Sequence, residues 1–321
     1  MQLTQDLAGT ALAARLVVAV GMLVGADADG ARFGIAVSGG PDSMALLALA
    51  AAAFPARVAA VTVDHRLRAA SADEAAMVAN WCAGRGIDHA ILTPAAPPVG
   101  NLQSWARTQR YALIDQWRAA YGIDWIMTAH HADDQLETLL MRLNRGSGVA
   151  GLAGVRGRSG RVIRPLLAER KADLLAFALT HRLPYVLDPS NADPRFNRAA
   201  LRAALADAPW LDPVAAARSA AALAQAQEAL DWTVSGLAAL HVRADDDGWT
   251  LDRTDLPHEY LRRLVLLMLE RVDPVAGAPR GDALDRAIGL AAAGGQASLG
   301  TCLLRGGTVW TVAPAPPRKA R

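Results

Sequence analysis

Cysteine is nearly absent: Cys82 and Cys302 stand far apart in a chain of 321 residues and belong to no CxxC or Cys/His cluster. That spacing argues against a structural metal site or a disulfide framework and leaves both as packing residues in a reducing cytosol. Lysine is almost as scarce, at positions 171 and 319 only, so arginine carries nearly all of the basic charge. The longest early apolar run, Leu16 to Ala26, is about half a membrane span, contains Gly21, and follows Arg15 rather than the charged start of a signal peptide. The expectation is a cytoplasmic protein with no membrane partner. Neither GxxxxGK[ST] nor GxGxxG occurs near the first strand, which removes the two common nucleotide loops.

What is present describes a folded protein of two parts. Apolar residues make up 52% of the chain and charged residues 20%, a balance that disfavours disorder. Residues 5–25 read as a helix with an aliphatic face. Strands expected at 32–37, 57–63, 88–93 and 124–129 then alternate with helices near 42–53, 71–85, 101–120 and 133–143. This alternation predicts a doubly wound α/β fold with a mostly parallel sheet, whose ligands bind at the carboxyl ends of the strands. LTPAAPPVGN at 92–101 and DPSNADP at 188–194 are turn-rich connections. Near Pro209 the pattern changes to Ala- and Leu-rich helices over 213–241 and 257–271, separated by the acidic turn ADDDG. A β-like stretch at 298–312 and a tail, APAPPRKAR, expected to fray, close the chain. The expected organisation is an α/β domain over 1–210 and a second, smaller, mainly helical domain over 211–321.

The chemistry concentrates where strands end. In GIAVSGGPDS, residues 34–43, a strand's worth of aliphatics runs into Ser38, Gly39, Gly40, Pro41, Asp42 and Ser43. Two glycines permit a tight turn and close approach of an anion, two serines add hydroxyls, and the helix that follows aims its amides and positive dipole end at the same point. Asp133, Asp134 and Glu137 open another probable helix after a strand ending in His130 and His131. Such carboxylates could hold an ammonium group, hold magnesium, or simply occupy a helix's first turn, where the macrodipole favours them. Arg107 and Arg110 lie three apart on a predicted helix, and His65, Arg66 and Arg68 follow a strand. From Thr138 through Ala168 there is no acidic residue, while Arg142, Arg145, Arg156, Arg158, Arg161 and Arg164 are interleaved with six glycines. That stretch is either a solvated loop or a surface that follows a phosphate backbone.

SGGxDS after a hydrophobic strand resembles the pyrophosphate loop of the N-type ATP pyrophosphatases, the PP-loop or adenine nucleotide alpha hydrolase-like enzymes. With VDHRLR at 63–68, ARTQRYALI at 106–114, AHHADDQLETLLMRLNRGSGVAGLAG at 129–154 and RPLL at 164–167, in that order, the chain resembles the tRNA(Ile)-lysidine synthetases closely over about residues 30–200 and loosely beyond. The resemblance implies an enzyme that uses ATP to adenylate the wobble cytidine of a tRNA(Ile) bearing a CAU anticodon. Free L-lysine then displaces AMP to give lysidine, changing decoding from Met to Ile. It implies ATP binding by Ser38, Gly39, Gly40, Pro41, Asp42 and Ser43, with magnesium near Asp42 and no metal fixed by protein alone. Asp42, Arg110 and His130 are the implied catalytic residues, Asp134 and Glu137 the lysine contacts, and Arg142, Arg145, Arg156 and Arg158 the expected tRNA contacts. The tRNA thiolases share the loop but use cysteine motifs that this chain lacks. A non-catalytic ATP- or RNA-binding module is the other rival, opposed by the intact carboxylates. Oligomeric state stays open, a homodimer included, and the chain is expected to stop short of the further C-terminal domain that some members carry.

Overall fold

The computed structural model describes residues 7–66, 71–95, 97, 100–187 and 197–316. Leu67 and Arg68 of VDHRLR, the DPSNADP connection and the tail from 317 lie outside them. Two compact units divide the chain, Met1–Ala224 and Gln225–Arg321.

The first unit opens with helix α1 (Ala11–Val24), capped by Thr10, whose hydroxyl accepts from the Ala13 amide. Strands β1 (Phe33–Ala36), β2 (Val58–Val63), β3 (Asp88–Leu92) and β4 (Trp125–Met127) alternate with helices α2 (Pro41–Ala53), α3 (Ser71–Ala83), α4 (Leu102–Ala120) and α5 (Ala132–Leu143). A short helix α6 (Val149–Leu152), a hairpin of β5 (Arg158–Ser159) and β6 (Val162–Ile163), and helices α7 (Lys171–Thr180) and α8 (Asn197–Ala206) follow, and α9 (Pro213–His241) starts in this unit. The sheet order is β3-β2-β1-β4-β6-β5, parallel throughout except for β5. Strand β1 is central, with Phe33 in register with Val58 on one side and Trp125 on the other. The chain order reverses there, so the loops leaving β1 and β4 face each other across the switch-point crevice.

Burial explains the apolar runs. Phe33 and Ile35 of β1 are fully buried, as a strand covered on both faces must be, and α2 buries every residue from Ser43 to Ala50. Each large side chain removed from water there contributes about 1.5–3 kcal/mol. The segment Ala11–Ala28 is long and apolar enough to cross a membrane by composition alone. In the structure Leu12, Leu16, Val20 and Val24 belong to the same buried cluster as Phe33, Met44 and Leu47, while Val18 and Met22 are exposed.

The second unit combines the rest of α9 with β7 (Val242–Asp245), β8 (Gly248–Leu251), α10 (His258–Val272), α11 (Gly281–Ala292), β9 (Gln296–Leu299), β10 (Cys302–Arg305) and β11 (Trp310–Pro314). These strands form an antiparallel sheet in the order β7-β8-β11-β10-β9. The acidic ADDDG segment is the turn of its first hairpin, in which Asp245 pairs with Gly248. Helices hold more of the unit than strands, but the sheet is larger than the single β-like stretch read from the sequence. Leu251, Leu264, Met268, Leu284, Leu304, Trp310 and Val312 fill its core.

Candidate active site

The loop after β1 is built by its own residue types. Val37 donates to the Val61 carbonyl and keeps the chain in the sheet to the last residue before the turn. Gly39 takes φ +83, a conformation open to glycine at little cost, and Gly40 caps α2 with Pro41 at its first position. The Ser43 hydroxyl accepts from the Ser38 amide at 3.2 Å and donates to the Gly40 carbonyl at 2.9 Å. Ser43 therefore braces the turn from within, and Ser38 Oγ lies 3.3 Å from it. The first intrahelical bond runs from Met44 to Gly40, which leaves the amides of Asp42 and Ser43 at the open end of the helix. That end is suited to an anion.

Asp42 meets the residues that follow β4. Its Oδ2 lies 3.6 Å from Nε2 of His131, and its Oδ1 is buried with no hydrogen-bond partner among the described residues. His131 is the N-cap of α5 and only 4% exposed. Its Nδ1 accepts from the Asp134 amide at 3.4 Å while Asp134 Oδ2 accepts from the His131 amide at 3.2 Å, a reciprocal cap. Nε2 is also 3.6 Å from Asp134 Oδ2, and Nδ1 is 3.7 Å from Asp133 Oδ2. Burial, the largest influence on this imidazole, pushes it toward neutrality. The close approach of Asp42 and the charges of Asp134, Asp42 and Asp133 outweigh that and hold its pKa above the ordinary value. His130 is the opposite case: burial, assisted by Arg164, Arg107 and His131 against the pull of Asp134, lowers it to about 4. Its Nδ1 is 2.9 Å from Thr128 Oγ1. The two neighbouring histidines are thus shifted in opposite directions.

One turn further along α5, Glu137 is 3% exposed. Both of its carboxylate oxygens accept from Arg202 of α8, through Nε and through Nη2, the latter at 3.1 Å. Arg202 also lies 3.7 Å from Asp134 Oδ1. Asp133 does a different job: its Oδ2 accepts from the Lys171 amide at 2.8 Å and caps α7, whose own N-cap residue, Arg170, supplies no side-chain bond. Among the described residues no group of three or more His, Cys, Asp or Glu side chains could hold a metal by itself. After β2, His65 lies edge-on to Trp105 with ring centroids 6.0 Å apart and both ring nitrogens buried without partners among the described residues. Burial, and then the charge of Arg110 on α4, keep it below its ordinary pKa. Arg107, one turn earlier, acts on His130 and stacks over Tyr111 at 5.1 Å.

Comparison with known proteins decides which family uses this arrangement. The family model of the PP-loop domain matches residues 15–208. A tRNA(Ile)-lysidine synthase from Zymomonas mobilis subsp. mobilis is 41% identical over 298 residues, which are 90% of this chain and 90% of that one. Another from Novosphingobium aromaticivorans is 43% identical over 278 residues, 84% of both chains. The chain belongs to the tRNA(Ile)-lysidine synthase family. A solved U34-tRNA thiolase from Methanococcus maripaludis, with its [4Fe-4S] cluster, superposes with a TM-score of 0.54 at 16% identity, over 67% of this chain and 79% of that one. The thiolase shares the fold. In this lysidine synthase family member Cys82 and Cys302 are both buried and lie in different units.

The arginines read as one basic stretch separate in space. Arg142 and Arg145, at the end of α5, are exposed and carry no side-chain hydrogen bond or ion pair among the described residues. Arg158 is exposed but stacks over Trp125 at 4.4 Å and donates to the Leu23 carbonyl at 3.3 Å, while Arg161 approaches the same indole at 5.0 Å. Arg156 is half-buried, with one guanidinium nitrogen buried and unpartnered. Arg164 is buried and donates to the Arg156 carbonyl at 2.8 Å. Sequence reasoning did not find Arg202, because its position in the site depends on a pairing with Glu137 across 65 residues of chain.

Proposed function

We propose that this chain uses ATP to join lysine to C2 of the wobble cytidine in the CAU anticodon of tRNA(Ile), releasing AMP and pyrophosphate. The observation that carries the reading is the convergence of Asp42, His131, Asp134 and Glu137 beside a glycine turn and an open helix N-terminus, at the ends of β1 and β4. In the first step O2 of the cytidine attacks the α-phosphorus of ATP, the bond to the bridging oxygen breaks, and pyrophosphate leaves with its electron pair. Ser38, Gly39, Gly40 and the open amides of α2 would hold that leaving group, and Ser43 would keep the turn closed around it. Bound magnesium would neutralise the charge that develops there, and the unpartnered Oδ1 of Asp42 fits such a cation. His131 orients Asp42 from its other oxygen.

In the second step the side-chain amine of lysine attacks C2, and AMP departs with the electrons of the C–O bond. The amine must attack as the free base, so a carboxylate has to take its proton. Asp134 is the nearer candidate, because both oxygens of Glu137 are engaged by Arg202. Lysine recognition by Asp134 and Glu137 is then an exchange in which an ammonium group takes the place of a guanidinium. ATP, lysine and tRNA meet in the cytoplasm, where this reaction belongs. The test is to supply ATP, magnesium and tRNA(Ile) transcript and follow the products. Release of AMP and pyrophosphate that depends on the tRNA, with adenylated tRNA persisting until lysine is added, is the expected result. Formation of ADP, or turnover indifferent to tRNA, would overturn the proposal.

A further inference from the structure

Between Asp134 and Glu137 of α5 stands a residue the reaction does not use. Gln135 is 4% exposed, and its carboxamide makes two hydrogen bonds to one backbone unit: Nε2 donates to the Val155 carbonyl and Oε1 accepts from the Val155 amide, each at 2.7 Å. Val155 lies midway along the glycine- and arginine-rich stretch, between α6 and the β5–β6 hairpin. The residue before it, Gly154, takes φ +64, and a Cβ built there would lie 2.4 Å from Gln135 Oε1. Only a residue without a side chain allows the loop to come this close. Arg164 fastens the same loop from its other flank, donating to the Arg156 carbonyl and, through its amide, to the Gly157 carbonyl, each at 2.8 Å.

A buried primary amide bonded at both ends to the backbone of one residue fixes that residue in position and orientation, since either bond alone would leave it free to pivot. It does so one residue from Asp134 and two from Glu137 on the same helix. We infer that Gln135 is a positioning residue that locks the arginine-bearing loop to the helix carrying Asp134 and Glu137, so that an RNA strand held by that loop is presented in register with the reacting carboxylates. The inference rests on the tRNA-ligase reading for the identity of the strand.

The test compares Gln135→Leu, which keeps the volume and removes both bonds, with Gly154→Ala, which leaves Gln135 intact but pushes the loop off it. Both should raise the KM for tRNA(Ile) at least fivefold, leave the KM for ATP and for lysine within twofold of wild type, and speed hydrogen exchange in residues 154–157. A residue that serves only the fold would lower the melting temperature without separating the tRNA constant from the other two. An active wild type alongside folded variants with unchanged tRNA KM, or with all three constants raised alike, would overturn the role of Gln135 by itself. A wild type that attaches no lysine to tRNA would remove the underlying reading and this inference with it.

Discussion

Replacing Arg202 with Met tests the lysine site through stability rather than turnover. Glu137 is 3% exposed, and Arg202 is the partner of both its carboxylate oxygens. Removing one member of a buried ion pair costs about 3–5 kcal/mol, because the other charge is left desolvated and unpaired. The Arg202 side chain is 32% exposed, so water can reach the vacated position, and a smaller cost, about 2–3 kcal/mol, is appropriate. In a domain of this size that is a fall in melting temperature of about 4–12 °C. If an ammonium group can occupy the same place, lysine should restore much of the loss, since a ligand at about a hundredfold its Kd contributes about 2.7 kcal/mol. The assay is thermal unfolding of wild type, Arg202→Met and the double variant Arg202→Met with Glu137→Gln, each titrated with L-lysine and with norleucine, which has the aliphatic chain but no side-chain charge. Lysine should stabilise Arg202→Met more than wild type, norleucine should stabilise neither, and the double variant should regain stability without ligand, because no unpaired charge remains. Equal responses to lysine and norleucine in Arg202→Met would refute the assignment of Asp134 and Glu137 to lysine.

Asp42→Asn should leave the protein folded while slowing pyrophosphate release at least tenfold, equivalent to about 1.4 kcal/mol of barrier; rates within twofold of wild type would remove this carboxylate from the chemistry. Arg142→Ala with Arg145→Ala should lower the slope of log tRNA affinity against log salt by about one to two with ATP affinity unchanged. Arg158→Ala, which loses its stacking on Trp125 as well as a charge, should lower both the melting temperature and the salt slope, the latter by about one. The two histidines set opposite pH limbs in the ligand-free protein. The raised value of His131 means that its stabilisation is complete below the unfolded value of about 6.5 and fades as pH rises through the folded value. For His130, with its folded value near 4, the unfolded chain takes the proton first, so stability falls as pH drops from about 6.5 toward about 4. Urea unfolding across pH should show His131→Asn flattening the alkaline limb and His130→Asn the acid one; unchanged limbs would contradict the assigned shifts.

Much of this site was legible in the sequence because its parts are local. A turn that needs positive φ selects glycine, a helix start selects an acid or a capping side chain, and an all-apolar run marks a helix or strand buried on every side, so SGGPDS and AHHADDQLET carried their meaning within a few residues. What depended on distant partners was hidden. Glu137 looked available for a ligand until Arg202 was seen on it, and His131 could not be told from His130 until Asp42 stood beside it. Arg158 and Arg142 look alike in sequence, yet one packs on a buried indole and the other projects freely. In the second unit, the strands of the first hairpin are four residues each, and Val242 to Asp245 has a single buried member, so no alternation announced them.

The most direct test of lysine ligation is to incubate the protein with ATP, magnesium, labelled lysine and tRNA(Ile) carrying a CAU anticodon, digest the tRNA to nucleosides, and locate the label. The expected result is label in a modified cytidine from the wobble position, lost when ATP is omitted, when that cytidine is replaced by uridine, or when Asp42 is Asn. Absence of label from the tRNA, or label found as an ester at the 3′ end, would contradict it.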